Sequence, residues 1–325
     1  MLSFIVSARN DNYGGNFLHR IQSFVSSLLT LWQKYSLDAE LVIAEWNPPQ
    51  ESPRLKDVLV LPKFLKPGIV RIIEVHSEIH HKLPNSDRMP MFEYIAKNVG
   101  IRRARGEFVL STNPDLLYSE ELIRFFAEKK LSKECFYRID RYDVKEQVPI
   151  DLSVEKQLEF CADHTFRIAK LGRTVLMEPL LRKVAHLPRS IMPTMYEKKE
   201  LICSGGPYRK LRRIHTNASG DFLLIAREGW YAIRGYPELK TNSFIDGYGC
   251  FLAAALGLRQ VILKNPMRIY HQEHDRSEFA KRPLTDYQQY LEHGMNMLQS
   301  KQPEVFNSDG WGLGNYQLPE YGITL

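Results

Sequence analysis

Asn98-Val99-Gly100-Ile101-Arg102-Arg103-Ala104-Arg105-Gly106-Glu107-Phe108-Val109-Leu110-Ser111-Thr112-Asn113-Pro114-Asp115 is the stretch on which the fold turns. It has the pattern of a helix ending, a turn at Gly106, a short buried strand from Phe108 to Ser111, and a polar Asn-Pro-Asp corner. Open α/β sheets gather their ligand chemistry just past the carboxyl ends of strands. Asp115 therefore has two readings. It can hold a hard divalent cation, which takes carboxylate and phosphate oxygens, or it can make the Asx turn that opens the next helix.

Working outward, Leu2 to Ala8 is a β-branched apolar run that ends in Arg9-Asn10-Asp11 and Gly14-Gly15. Phe17, Ile21, Phe24, Val25, Leu28, Leu31, Trp32 and Tyr35 then recur at three- and four-residue steps, which predicts a helix. Glu40 to Trp46 is a second strand, stopped by Asn47-Pro48-Pro49, which a strand interior does not accept. Ile69 to Val75 is a third strand, and Met91 to Ala104 the helix that leads into the opening stretch.

Downstream, Ser119 is placed to cap a helix over Glu120 to Lys130. A strand at Phe136 to Tyr142, an amphipathic helix over Val154 to Lys170 and a strand at Asp221 to Ala226 follow. Then come helices at Arg227 to Ile233 and Asp246 to Leu256, strands at Arg259 to Lys264 and Arg268 to His271, and a tail helix from Pro283 to about Ser300. This alternation predicts an α/β fold: a mostly parallel sheet with helices on both faces, followed by a C-terminal helical tail.

The 325 residues, 44% hydrophobic and 25% charged, suit an ordinary globular protein with one large domain. A net charge of +6 fits an anionic ligand such as a nucleotide diphosphate. The basic residues do not alternate with aromatics on any one predicted face, which argues against nucleic acid. Four scattered cysteines without a CxxC read as reduced thiols in a cytoplasmic protein. Without an apolar leader or a spanning run, the chain is expected not to cross a membrane, although a peripheral contact is open to it. Residues 179–219 are rich in proline and glycine and carry Lys198-Lys199 and Arg209-Lys210-Leu211-Arg212-Arg213. They read either as a mobile lid over a ligand or as a solvated basic loop against an anionic membrane or acceptor.

Other residue sets also carry two readings. Ser7, Ala8, Arg9 and Asn10 can bind phosphate through the guanidinium and exposed amides, or form a polar turn. Glu45 can accept from a ribose or base, or end its strand in solvent. Asn113 can lend a carbonyl to a metal site. Asp246 can cap its helix or take a proton from a sugar hydroxyl. His271 and His274, around Glu273, can complete a manganese site or serve structure.

Taken in order from Phe4 to about Ser277, these features resemble the nucleotide-sugar-dependent glycosyltransferases of the GT-A (Rossmann-like) fold, particularly the inverting family 2 class. The most specific match is N-x-G-x-x-x-A-x-G-E, three apolar residues and a DxD motif, here Asn98 through Asp115. Asn113 stands where the first Asp is usual. The resemblance implies that Ser7, Ala8, Arg9, Asn10, Glu45, Asn98, Asn113 and Asp115 contact the nucleotide sugar. It implies a divalent cation, Mn2+ or Mg2+, on Asp115 and His271, with His271 preferred over His274. It implies Asp221 and Trp230 on the acceptor side, and Asp246 as the catalytic base.

By the same resemblance, residues 1–278 form the transferase domain, with a donor half at 1–117 and an acceptor half at 118–278, and residues 279–325 are an extension. The reaction implied is transfer from a nucleoside diphosphate sugar, UDP-sugar favoured, to a hydroxyl of a glycan or lipid-linked acceptor with inversion, as in polysaccharide biosynthesis. Two rivals share parts of the pattern. A nucleotidyltransferase of similar fold would show a glycine-rich, Lys/Arg-containing motif after the first strand, and Arg9 to Gly15 lacks that signal. A non-catalytic nucleotide-sugar-binding module is consistent with Asn113.

Overall fold

The computed structural model describes residues 1–62, 69–177, 211–241, 243–277 and 286–322. Its frame is a mixed eight-stranded sheet. The half that comes first in the chain is parallel: β1 (Leu2–Ala8) lies between β2 (Ala39–Trp46) and β4 (Phe108–Thr112), and β3 (Val70–Val75) flanks β2. Strands covered on both faces need apolar side chains at odd and even positions alike, and every residue of β1, β2 and β3 is buried. Phe4, Val6, Leu41 and Ile43 meet α1 (Phe17–Lys34) on one side. Ile5, Val42 and Ala44 meet α4 (Glu93–Arg102) on the other. Short helices α2 (Leu55–Val58) and α3 (Ser77–His80) follow the carboxyl ends of β2 and β3.

The second half departs from a mostly parallel sheet. β10 (Phe222–Ala226) inserts antiparallel between β4 and β6 (Cys135–Ile139), and β11 (Arg259–Leu263) runs parallel to β6 at the edge. The predicted strand over Phe136 to Tyr142 is two strands, because the chain leaves the large sheet at Asp140 and enters a second one. That second sheet has five strands in the order β5 (Leu116–Tyr118), β12 (Ile269–Gln272), β7 (Arg141–Val144), β8 (Thr165–Lys170) and β9 (Arg173–Leu176).

The expected helix to Lys170 is also corrected. Helix α6 (Val154–Asp163) stops at His164, Thr165 Oγ1 turns back to donate to Cys161 O at 2.8 Å, and the following residues pair with β7 as a strand. Ser119 does cap α5 (Glu120–Ala127), accepting from Leu122 N at 3.3 Å.

The remaining helices, α7 (Arg227–Ala232), α8 (Ile245–Ala255) and α9 (Tyr287–Ser300), belong to the core on the α4 side. The tail is not wholly helical: β13 (Glu320–Gly322) pairs antiparallel with the edge of β3. Arg71 of β3 ties the two together, with Nη1 2.8 Å from Glu40 and Nε 2.7 Å from Glu320. Cys135, Cys161 and Cys250 are free and buried. Among the described residues, no helix is long and apolar enough to cross a membrane. Residues 178–210, which hold most of the expected lid with Lys198-Lys199 and Arg209-Lys210, lie outside the described residues.

Candidate active site

Both sheets end at one cavity of about 170 Å3, whose walls include Ser7, Ala8 and Arg9 from the end of β1 and Asn113 and Asp115 from the corner after β4. Asp221, His271, His274 and Arg276 complete the side that comes from later in the chain. Strand register explains the convergence. In β12, His271 pairs with Leu116 on one side and with Asp143 on the other, so the imidazole stands between Asp115 and Asp143.

Asp115 is buried, and its Oδ2 lies 3.6 Å from His271 Nε2 and 3.3 Å from His274 Nε2. Its Oδ1 is buried and has no hydrogen-bond partner among the described residues. Burial alone would raise this carboxyl, but the charge and hydrogen bonds of His271 and His274 outweigh it and hold the group well below the usual carboxylate range. Burial likewise works to lower His271, yet Asp115, helped by Asp143 and Glu273, raises it to about 10.

His271 Nδ1 lies 3.0 Å from Asp143 Oδ1 and 3.4 Å from Glu273 Oε2. That side of the ring is thus turned to carboxylates, and Nε2 faces the cavity. There Arg276 Nη2 is 3.3 Å away, a contact that favours a bare Nε2 while Asp115 favours a proton on it. Asp115, His271 and His274 offer ligand atoms all within 4.8 Å of one another. One carboxylate and two imidazoles, with an orphaned buried oxygen among them, could together hold a divalent cation.

Other charges brace this cluster. Arg141 Nη1 donates to Asp221 Oδ2 at 2.6 Å and its Nε lies 2.8 Å from Asp143 Oδ1, while Arg167 Nε donates to Asp143 Oδ2 at 2.5 Å. Asn113 Nδ2 donates to Asp221 Oδ1 at 2.6 Å, so both oxygens of Asp221 are engaged. Arg20 projects from the buried face of α1 and donates to Tyr13 O at 2.5 Å and to Gly15 O, which fixes the loop after β1. Gly14 in that loop has φ +68°, and a Cβ on it would lie 2.5 Å from His274 Nδ1. Only glycine accepts both conditions without strain.

Arg9 reaches two cavities. It donates to Asn47 O at 2.8 Å and pairs with Asp11. Beyond it lies a second, polar space of about 370 Å3 lined in part by Asn47, Glu51, Arg54, Glu74 and His76.

Several expected residues stand elsewhere. Glu45 is buried and lines neither space; its Oε1 accepts from Leu55 N at 2.9 Å, which ties β2 to α2. Asn10 is buried and donates to Pro53 O at 2.9 Å. Asn98 holds Tyr236, donating to its carbonyl and accepting from its N–H, both at 2.8 Å. Trp230 is a core residue whose indole N–H donates to Val109 O at 3.0 Å, so it presents no face to an acceptor. Asp246 does not join the Asp115 cavity; it lines a neighbouring one, and its Oδ2 accepts from Ser219 Oγ at 2.8 Å and Gly220 N at 2.9 Å.

Residues absent from the sequence-level candidates are Arg20, Arg141, Asp143, Arg167 and Arg276. One of them left a trace. Arg20 sits on the apolar stripe of α1 beside Phe17, Ile21 and Phe24, where a lone charge needs a reason. Arg141 and Asp143 alternate on one face of a strand and are both buried.

No protein-family model matches the chain. No curated protein matches it. The chain is similar to several solved structures. A crystal structure of S. aureus TarS residues 1–349 is 13% identical with a TM-score of 0.46, covering 92% of this chain and 71% of that one. GalNAc-T7 with UDP, GalNAc and Mn2+ is 10% identical with a TM-score of 0.44, covering 85% of this chain and 44% of that one. The mannosyltransferase PcManGT from Pyrobaculum calidifontis, in complex with GDP-Man and Mn2+, is 14% identical with a TM-score of 0.40, covering 86% and 59%.

Proposed function

We propose that this chain is a glycosyltransferase that uses a nucleoside diphosphate sugar and a divalent cation, with residues 1–117 forming the donor half and 118–278 the acceptor half. The observation that carries the reading is the meeting of Asp115, His271 and His274 in a cavity walled by Arg9, Arg20 and Arg276. Buried carboxylate and imidazole ligands beside several guanidinium groups match a diphosphate–cation complex, since Arg makes paired hydrogen bonds to phosphate oxygens.

In this reading Asp115, His271 and His274 hold the cation, which when bound neutralises charge developing on the leaving diphosphate. Arg9 and Arg276 grip phosphate oxygens, and the nucleoside extends past Arg9 into the polar space beside Asn47, Glu74 and His76. Asn113 does not replace a second acid on the metal; it fixes Asp221. With both oxygens of Asp221 engaged, it is a poor base. Asp246, anchored through Oδ2 alone, is the better one. It takes the proton of an acceptor hydroxyl as that oxygen bonds to the anomeric carbon. The bond from that carbon to the diphosphate oxygen breaks on the opposite face, and the centre inverts.

The test is calorimetric and catalytic. Wild-type chain should bind Mn2+ and then UDP, and should turn over at least one member of a UDP- and GDP-sugar panel. Asp115→Asn should lose the Mn2+ isotherm and the turnover while unfolding cooperatively as before. Undiminished turnover in that variant, or in excess chelator, would refute the metal assignment.

A further inference from the structure

The cavity beside Asp246 has an aromatic wall that neither the fold nor the donor site requires. Phe244 is 37% exposed and Tyr287 57% exposed, both large rings left open to solvent. They do not stand apart. Phe244 lies 5.0 Å from Tyr287 and stacks on Tyr290 at 5.0 Å with 22° between planes, and Tyr287 and Tyr290 are 28° from parallel. The cavity they line is about 490 Å3, the size of a small-molecule site.

Its floor is polar. Asp246, Thr216 and Asn217 face the same space. The helix pair is shaped to bring the tyrosines here: a Cβ on Gly247 would overlap the Tyr290 hydroxyl, so a glycine at this point lets α9 close on α8. The segment Ser219–Asp221 runs between this space and the metal cluster and borders both. Asp221 lines the far cavity, and Asp246 takes hydrogen bonds from Ser219 and Gly220 on the near side.

We propose that this aromatic cleft binds the acceptor and that the acceptor is a carbohydrate, seated with the C–H face of one ring on Phe244 and Tyr287 and its hydroxyls toward Asp246, Thr216 and Asn217. The proposal rests on the glycosyltransferase reading above for the word acceptor, while the carbohydrate site stands on the cleft itself. A sugar ring has one apolar face and a polar edge, and flat aromatic rings above a carboxylate complement both. An acyl chain would complement the apolar lining but would offer nothing to Thr216, Asn217 and the Asp246 oxygen that Ser219 and Gly220 do not engage. Tyr287 lies in α9, so the C-terminal extension contributes to the acceptor site.

The experiment uses chitotriose, maltotriose and mannotriose as probes, with saturation-transfer NMR on the full chain and calorimetry with UDP and Mn2+ run in parallel. At least one trisaccharide should bind, with its ring C–H protons receiving most of the transferred saturation. Tyr287→Ala and Phe244→Ala, both at exposed positions, should each weaken that trisaccharide about tenfold while leaving UDP–Mn2+ affinity within about twofold. Failure of all three probes to bind, or equal binding in both variants, would overturn the proposal. So would displacement of the sugar by dodecyl maltoside through its alkyl chain. Loss of UDP–Mn2+ binding in the wild-type chain would instead sink the donor reading and leave the carbohydrate site in place.

Discussion

Glu45→Gln separates a structural carboxyl from a ligand-binding one, and its effect is fixed by pH. Glu45 lies buried in β2 with Oε1 on Leu55 N and Oε2 without a partner. Burial pushes its carboxyl up to about 7 from an ordinary 4.5, against the pull of the Leu55 N–H and with added repulsion from Glu74. The folded chain therefore keeps this proton over a pH range in which the unfolded chain has released it. Stability from the protonated form is fully present below pH 4.5 and is lost as pH rises through 7.

At about 1.36 kcal/mol per pKa unit, the cost of ionising Glu45 is about 1 kcal/mol at pH 5 and about 3 kcal/mol at pH 8.5. Glutamine keeps the acceptor for Leu55 and does not titrate. Its stability relative to wild type should therefore rise by about 2 kcal/mol between those pH values, whatever constant offset its buried amide introduces. Guanidinium denaturation midpoints measured from pH 5 to 8.5 give the difference directly. Parallel curves for the two proteins would refute the reasoning. A tenfold loss of UDP affinity in Glu45→Gln would return this residue to the donor site.

Three further outcomes are expected. Asp143→Asn should weaken Mn2+ binding about 10- to 100-fold in calorimetry with little change in far-UV circular dichroism, because it loosens the carboxylate that faces His271 Nδ1. Gly14→Ala should cost about 1–3 kcal/mol in denaturant unfolding, from its positive φ and the collision with His274, and should weaken Mn2+ binding with it. Arg71→Met should cost about 3 kcal/mol by the same measurement, since it takes from the buried Glu40 the guanidinium that now pairs it.

The parallel half was open to a reading from sequence because its signals are local. The β-branched run from Leu2, the stripe from Phe17 to Tyr35 and the Asn47-Pro48-Pro49 stop each announce an element without help from elsewhere. The Asn-Pro-Asp corner was legible for the same reason, since a polar triplet after four buried residues can lie only at a strand end. The second sheet was not. β5 and β7 are three and four residues long, and β7 carries Arg141 and Asp143, whose partners Asp221, Arg167 and His271 are remote in the chain. Nothing nearby says that such charges will be buried. Trp230 and Asn98 misled in the opposite sense. Their motif positions pointed to a ligand, but their polar atoms are taken up by Val109 O and by the backbone of Tyr236. Motif position fixes where the backbone goes more firmly than it fixes what a side chain touches.

The short strand β13 has a consequence for how the molecule is made. It covers the edge of β3, and Arg71 and Glu320, which join across that edge, are 249 positions apart in sequence. During synthesis the parallel half can assemble its core while that rim is still bare, with unpaired amides open to any extended chain nearby. The pairing that seals it is among the most distant contacts in the molecule and pays a large loop-closure cost before it forms. A ribosome that stalls between β3 and β13 would thus release a parallel-sheet fold with an adhesive border, and that border is covered only once residue 322 has emerged.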